Sequence, residues 1–365
     1  MHDLIIIGGG PAGTSAAISA ARGGARVLLL ERGRFPRHKV CGEFVSAESL
    51  GLLTNLLDEQ HADLLRDAVR IPGARVFLDG RIVQALVDPP AASIARLDLD
   101  AALWQSAINA GVDARQQFTV KSIAGSGPFR IAASDGECEA RALVNASGRW
   151  STLNRPPAEN GTHREKWLGI KAHFAEEVSS PSVDLYFFDG GYCGVQPVSL
   201  RRDNASAGRV NASAMVRADV ASTLPEVFAL HPALRERSRG WTALSDPVST
   251  SPLIFRHPQP EREGVLMVGD AAGFVDPFVG DGISLALRSG SLAANCLTPF
   301  LAGDASLADA TARYRTIYQQ SLLPVFRASS KIRRMLVLPT SVRRPLLFLL
   351  ESSPAITNYL VRKTR

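Results

Sequence analysis

The run Leu4–Ile7 followed at once by GGGPAG limits this chain more than any other stretch of it. An apolar, β-rich segment stopping at glycines is followed by TSAAISAARGG, small helix formers closed by two glycines suited to a C-cap. ARVLLLE then reads as a second buried strand ending at Glu31. The three segments predict a βαβ unit with Gly8, Gly10 and Gly13 at its first turn. Gly8 allows the tight turn, Gly10 lets backbone approach a pyrophosphate, and Gly13 lets helix and strand pack closely. An anion at that helix N-terminus meets unpaired N–H groups and the positive end of the helix dipole. Glu31 stands 18 residues beyond Gly13, placed to accept hydrogen bonds from a ribose diol. An acid there disfavours a 2′-phosphate, so the expected ligand is FAD or NAD.

A second element decides between them. In GVLMVGDAAGFVDPFVGDGISLALRSG, residues 264–290, a short buried strand runs into Gly269 and Asp270. A glycine-rich turn follows and feeds a helix at Gly280, Gly282 and Ile283. Two such cradles, far apart in one chain, need a ligand long enough to touch both. FAD fits: pyrophosphate at the first turn, ribityl chain at Asp270, isoalloxazine at the second helix start, whose dipole favours negative charge on the reduced ring.

Bulk properties exclude other classes. With 45% hydrophobic and 21% charged residues among 365, the chain reads as globular and large enough for two domains. Its start lacks a basic segment, and no apolar run approaches a membrane span, so a cytoplasmic location is expected. Cys41, Cys138, Cys193 and Cys296 are scattered, which argues against zinc and against a disulfide framework; no metal is expected. Of the net charge of +6, residues 331–365 carry +7, leaving the rest at −1. The plain reading of this basic, partly apolar tail is a pair of solvated amphipathic helices. Peripheral contact with an anionic membrane ranks second, and nucleic acid is disfavoured.

These motifs resemble those of FAD-dependent group A monooxygenases and their relatives, the geranylgeranyl reductases and flavin-dependent halogenases. GDAAGFVDPFVGDGI is similar to the family's second FAD motif, RALVNASGRWSTLNR (141–155) to its strand–glycine motif with Ser147-Gly148 for the usual Asp-Gly, and ARLDLDAALWQSAINAGV (95–112) to its arginine-bearing helix. The resemblance covers Asp3 to about Ser291. It implies an α/β fold: a Rossmann-like FAD-binding domain of glutathione-reductase type, an inserted antiparallel β-sheet substrate layer, and a helical C-terminus. The expected division is 1–74, 96–150 and 255–303 for FAD, 75–95 and 151–254 for substrate, and 304–365 as the basic helical segment. It adds Pro11, Ala12, Arg32, Gly42, Arg96, Val120, Ser147 and Gly148 to the cofactor set, and makes Cys41 and Pro277, the latter in the loop on the flavin face, the catalytic candidates. From the residues themselves, Asp98 or Asp100 is expected to cap the helix carrying Leu99, Leu103 and Ala107.

The resemblance implies an NAD(P)H-dependent oxidoreductase in which the nicotinamide binds transiently. The first expectation is a monooxygenase using a flavin C4a-hydroperoxide on an aromatic or unsaturated hydrophobic substrate. The alternative is a geranylgeranyl-reductase-like enzyme reducing isoprenoid double bonds; KVCGE and part of YCGVQP are similar to that group's motifs. A third reading is a low-turnover maturation factor acting on a peptide or carrier-bound substrate. A halogenase is disfavoured, since no two of Trp104, Trp150, Trp167 and Trp241 form Trp-x-Trp. Phe174, Phe187, Phe188 and Tyr192 are pocket-wall candidates, and His173 is expected in a strand as a packing residue. Cys41, flanked by Arg37 and Lys39, stays open between a small loop residue beside the flavin and a thiol near substrate with a lowered pKa.

Overall fold

The computed structural model describes the chain except residues 135, 150–152, 154–165, 200–207, 254, 256, 337 and 363–365. It opens with β1 (His2–Ile7), α1 (Pro11–Arg22) and β2 (Val27–Glu31). Then come β3 (Phe44–Val45), α2 (Leu50–Leu56), α3 (Asp63–Arg66) and a long hairpin, β4 (Val69–Leu78) and β5 (Arg81–Ser93). Helix α4 (Arg96–Asn109) precedes β6 (Asp113–Gln116), β7 (Val120–Ala124), β8 (Phe129–Ala133) and β9 (Gly136–Asn145). Next are β10 (Trp167–Ala175), β11 (Ser182–Phe188), β12 (Gly191–Pro197), β13 (Arg209–Arg217), α5 (Leu224–Ala229) and α6 (Pro232–Arg237). Short strands β14 (Thr242–Ala243), β15 (Val248–Thr250), β16 (Glu261–Arg262) and β17 (Val265–Met267) follow. The chain ends in α7 (Gly282–Ala302), α8 (Leu307–Ser321), α9 (Leu323–Leu336), α10 (Thr340–Ser352) and α11 (Pro354–Arg362).

Two sheets organise these elements. The first has the order β16-β17-β9-β1-β2-β6, parallel from β17 to β6, with the β7–β8 hairpin against β9. Its central strands are solidly apolar because both faces are covered; Leu4, Ile5, Ile6, Leu28 and Leu29 have no exposed surface. Helices α1 and α7 cross on one face, joined by the Ser15 hydroxyl donating to the Leu287 carbonyl at 2.7 Å. The turn after β1 brings Gly8 to φ +107, and a Cβ there would meet the Ala146 carbonyl oxygen at 2.3 Å; only glycine fits.

The second sheet has the order β14-β10-β13-β12-β11-β4-β5-β3, with β15 beside β10. It is antiparallel except where β4 and β11 run parallel. That departs from the uniformly antiparallel layer expected. No hairpin joins β4 to β11, so no turn dictates their mutual direction. The expected boundary at residue 75 falls inside β4, and β3 pairs with β5, so segments before residue 75 belong to the second sheet. Helix α4 starts at an N-cap residue, Ala95, that has no side chain able to cap it. Asp100 is instead turned onto Arg96, and the open end takes a carboxylate from elsewhere.

Candidate functional site

Three chain segments converge on one cavity of about 400 Å³ between the sheets. The first is the turn after β1. Gly10, Pro11 and Ala12 line the cavity, and α1 has no side chain capping its first turn. An anion placed at this helix start would meet its leading N–H groups. Beside it, buried Glu31 accepts from the Gly9 amide at 2.8 Å and the Gly33 amide at 2.6 Å, and pairs with Arg37 at 2.9 Å. Burial would raise its pKa; Arg37 and the two amides outweigh burial and hold it below the usual range.

The second segment follows β17. Gly269 and Asp270 line the cavity, and Arg149 stands 3.3 Å from the Asp270 carboxylate, its guanidinium 3.9 Å above the Phe274 ring. A loop then carries Pro277, Phe278 and Gly280 to Gly282 and Ile283 at the start of α7, which has no side-chain cap either. Two buried carboxyls flank this loop. Burial pushes both Asp276 and Asp281 up to about 6, against Arg333 at 3.4 Å from the first and the Ser46 hydroxyl at 2.8 Å from the second. Two uncapped helix starts, a buried acid at one end and an aspartate between them fit FAD, as expected for a ligand long enough to touch both cradles.

The third segment is His38–Phe44. Cys41 and Gly42 line the cavity, and Glu43 beneath them has φ +63, a left-handed backbone that a non-glycine residue adopts only under surrounding constraint. The constraint is visible. The fully buried Glu43 carboxylate accepts from the Lys171 ammonium at 2.7 Å and the Arg96 amide at 2.8 Å, and binds His173 Nε2 at 2.7 Å. Glu43 is thus the remote carboxylate at the start of α4. Burial would raise its pKa, and the Lys171 charge with His173 outweighs burial and holds it at about 2. The Asn211 amide donates to the Cys41 carbonyl at 3.0 Å, so strand β13 holds the loop from the other side. For the Cys41 thiol, the expected lowering by Arg37 and Lys39 is not what the structure shows. Arg37 is spent on Glu31, the cation beside the thiol is Arg96, and burial wins, pushing the pKa up.

The rest of the cavity is mostly apolar, with Gln196, Ser213, Thr250, Arg343 and Thr357 as its polar lining. Val76, Val83, Ala85 and Val87 face it from β4 and β5, and Leu185, Phe187, Tyr192 and Met215 from β11 to β13. Strand alternation sorts the aromatic candidates. Phe187 and Tyr192 point into the cavity, whereas Phe174 and Phe188 point to the opposite face, against the cluster covered by α5 and α6. The Tyr192 hydroxyl is buried with no hydrogen-bond partner among the described residues, its ring edge-on to Phe278.

Gly8, Gly10, Pro11, Ala12, Gly13, Glu31, Cys41, Gly42, Arg96, Gly269, Asp270, Pro277, Gly280, Gly282 and Ile283 thus lie in or directly beside the cavity. Ser147 and Gly148 lie just past β9 between the lining residues Ala146 and Arg149, with the Ser147 hydroxyl turned onto Asn145 at 2.5 Å. Arg32 is exposed and does not line the cavity, and Val120 packs in the β7–β8 hairpin outside the cavity lining. The later serine and arginine of the 141–155 motif lie outside the described residues. Glu43, Lys171, Asn211 and Arg149 escape sequence reasoning. Lys171 left one trace, a lysine at the centre of the strand LGIKAHFA, where only a paired charge is tolerated. Among the described residues no group of His, Cys, Asp and Glu is arranged to hold a metal.

Comparison with known proteins agrees with this geometry. Two family models, both described as FAD dependent oxidoreductase, match residues 3–56 and 38–295. A menaquinone reductase of Mycobacterium tuberculosis is 30% identical over 325 residues, covering 81% of this chain and 76% of the relative. A digeranylgeranylglycerophospholipid reductase of Methanopyrus kandleri is 25% identical over 356 residues, covering 91% and 86%. The solved structure of a flavin-dependent brominase superposes with a TM-score of 0.78 at 20% identity, over 100% of this chain and 93% of that one, a likeness of fold.

Proposed function

We propose that this chain, which belongs to the FAD-dependent oxidoreductase family, is an enzyme that reduces carbon–carbon double bonds in a polyprenyl substrate. The observation that carries the reading is the cavity. Past the polar cradle its walls are mostly aliphatic and aromatic, with Gln196, Ser213 and Thr250 among them, and it runs on between β4, β5 and α10, where Leu346, Leu347 and Leu350 close it beside Arg343 and Thr357. A chain of isoprene units has no hydrogen bonds to make and gains from such a wall, at about 25 cal/mol per Å² of apolar surface buried. Two relatives whose names denote reduction of prenyl-bearing molecules support the reading.

Bound FAD, reduced by NAD(P)H, supplies the hydride; the protein must supply the matching proton and the geometry. Cys41 is the group for that proton. Cys41 lines the cavity, its sulfur accepts from the Glu43 amide at 3.3 Å, and burial raises its pKa, so the thiol would be held protonated where it could supply a proton to a carbon of a bound alkene. Glu43, Lys171, His173 and Asn211 hold its loop still. The Tyr192 hydroxyl, with no hydrogen-bond partner among the described residues, suits a polar headgroup at the end of the chain.

Anaerobic mixing of the reduced holoenzyme with a geranylgeranyl lipid that carries no quinone tests this. Flavin reoxidation without oxygen, with product gaining two hydrogens by mass spectrometry, is expected. Cys41→Ser is expected to slow that reoxidation about 100-fold and leave reduction by NAD(P)H unchanged. Equal reoxidation rates would make Cys41 a structural residue. A monooxygenase is the second reading, favoured by the Phe187–Tyr192–Phe278 aromatic cluster, which would also take a ring. Reoxidation only on admitting oxygen, with product gaining an oxygen atom, would replace the reductase by it.

A further inference from the structure

We infer that the outer face of α10, α11 and β5 docks on an anionic lipid bilayer and passes membrane-dissolved substrate directly into the cavity. Seven of the twelve large apolar side chains exposed among the described residues lie on these three elements: Ile82, Leu86, Val342, Phe348, Leu349, Ile356 and Tyr359. Single exposed apolar residues are ordinary, but a cluster on adjoining elements marks an interaction surface. The exposure is large where it matters, 58% for Phe348, 51% for Leu349, 65% for Leu86 and 59% for Tyr359.

Helix α10 is apolar on both sides. Leu346, Leu347 and Leu350 face the cavity while Phe348 and Leu349 face outward, so one helix thickness separates the surface from the cavity interior. Nor is the surface a loose flap. Arg343 donates twice to Asp79 in the β4–β5 turn, at 2.7 and 2.6 Å, the Leu86 amide donates to Asn358 Oδ1 at 2.9 Å, and Arg81 pairs with Glu351 beneath the Phe348 ring.

Charge selects the occupant. Residues 331–365 carry eight Lys or Arg against Glu351 alone, in a chain whose remainder is close to neutral. Arg344, exposed one helical turn from Phe348, sets a cation beside the apolar cluster. An apolar cluster with an exposed arginine at its edge matches the interface of a membrane with anionic headgroups, where rings enter the acyl boundary and the guanidinium meets phosphate. No helix among the described residues is long and apolar enough to cross a membrane, so the contact is peripheral. The delivery role rests on the polyprenyl reading above; the docking does not.

Sedimentation of the FAD-loaded full chain with vesicles tests the docking. Binding to phosphatidylcholine–phosphatidylglycerol vesicles is expected, with little to pure phosphatidylcholine, and weakening as salt rises. A Phe348→Asp, Leu349→Asp double variant is expected to lose at least tenfold in binding while keeping its FAD content, melting temperature and turnover of detergent-solubilised substrate. Arg344→Glu, a single exposed change, is expected to weaken the preference for anionic vesicles. Failure of the parent to bind either vesicle, or equal binding by the double variant, would overturn the docking. A concentration-dependent dimer abolished by the same variant would assign the face to a second copy instead. Vesicle binding without polyprenyl turnover would sink the reductase reading alone, and turnover in detergent without vesicle binding would sink the docking alone.

Discussion

Gly13→Ala is expected to yield protein that no longer retains FAD. A Cβ at Gly13 would stand 1.8 Å from the Gly8 carbonyl oxygen and 3.2 Å from the Ala146 Cβ. The first obstacle is backbone, and it belongs to the turn that shapes the cradle, so no rotamer change relieves the clash. Helix α1 must lift from β1, and its uncapped N–H groups leave the position where a pyrophosphate would meet them. Overpacking of this kind costs about 1–3 kcal/mol where side chains can yield, and more where backbone must. Loss of cofactor affinity by at least ~100-fold corresponds to about 2.7 kcal/mol at the site. Absorbance of the purified variant and titration with FAD read it out. A variant that is yellow at full stoichiometry would mean the cradle does not depend on that contact.

Glu43→Gln is expected to destabilise the protein by about 3–5 kcal/mol near neutral pH, because it leaves the buried Lys171 ammonium without a counter-charge. The pH dependence has a definite sign. Glu43 is held at about 2 in the fold against an ordinary 4.5, so its contribution is complete above about 4.5 and disappears as pH falls toward 2. The parent should therefore lose stability across that window, and Glu43→Gln should show a flatter profile there. Lys171→Met added to Glu43→Gln is expected to restore part of the loss, since removing both charges spares the desolvation that one unpaired charge suffers. Denaturant unfolding at pH 7 and pH 3 measures all three. Unchanged stability of the single variant at pH 7 would show the network to be incidental.

The cofactor half of the site was legible because its determinants are local. A strand, a glycine turn, a helix and an acid at a fixed interval act within one stretch of chain, and each glycine answers a backbone demand that adjacent residues create. The same locality made GDAAGFVDPFVGDGI readable as the far end of one long ligand. Helix capping failed for the opposite reason. Asp98 and Asp100 were the nearest acids to the start of α4, yet the carboxylate that reaches its first amide comes from Glu43, far back in the chain. The sorting of Phe187 from Phe188 needed only strand parity, but which face looks at the cavity depends on where the second sheet lies.

By itself, then, the sequence determined the nucleotide fold, the flavin class and the basic character of the C-terminus, all properties carried by short contiguous stretches. Tertiary structure alone decided the rest. It turned Lys171 and His173 of β10 onto Glu43 and pressed Cys41 into a setting where burial outweighs the neighbouring guanidinium. It also laid α10 across the cavity with apolar residues on both of its sides. Electrostatics and burial depend on distance in space, and no spacing along the chain encodes which distant residues share a low-dielectric pocket.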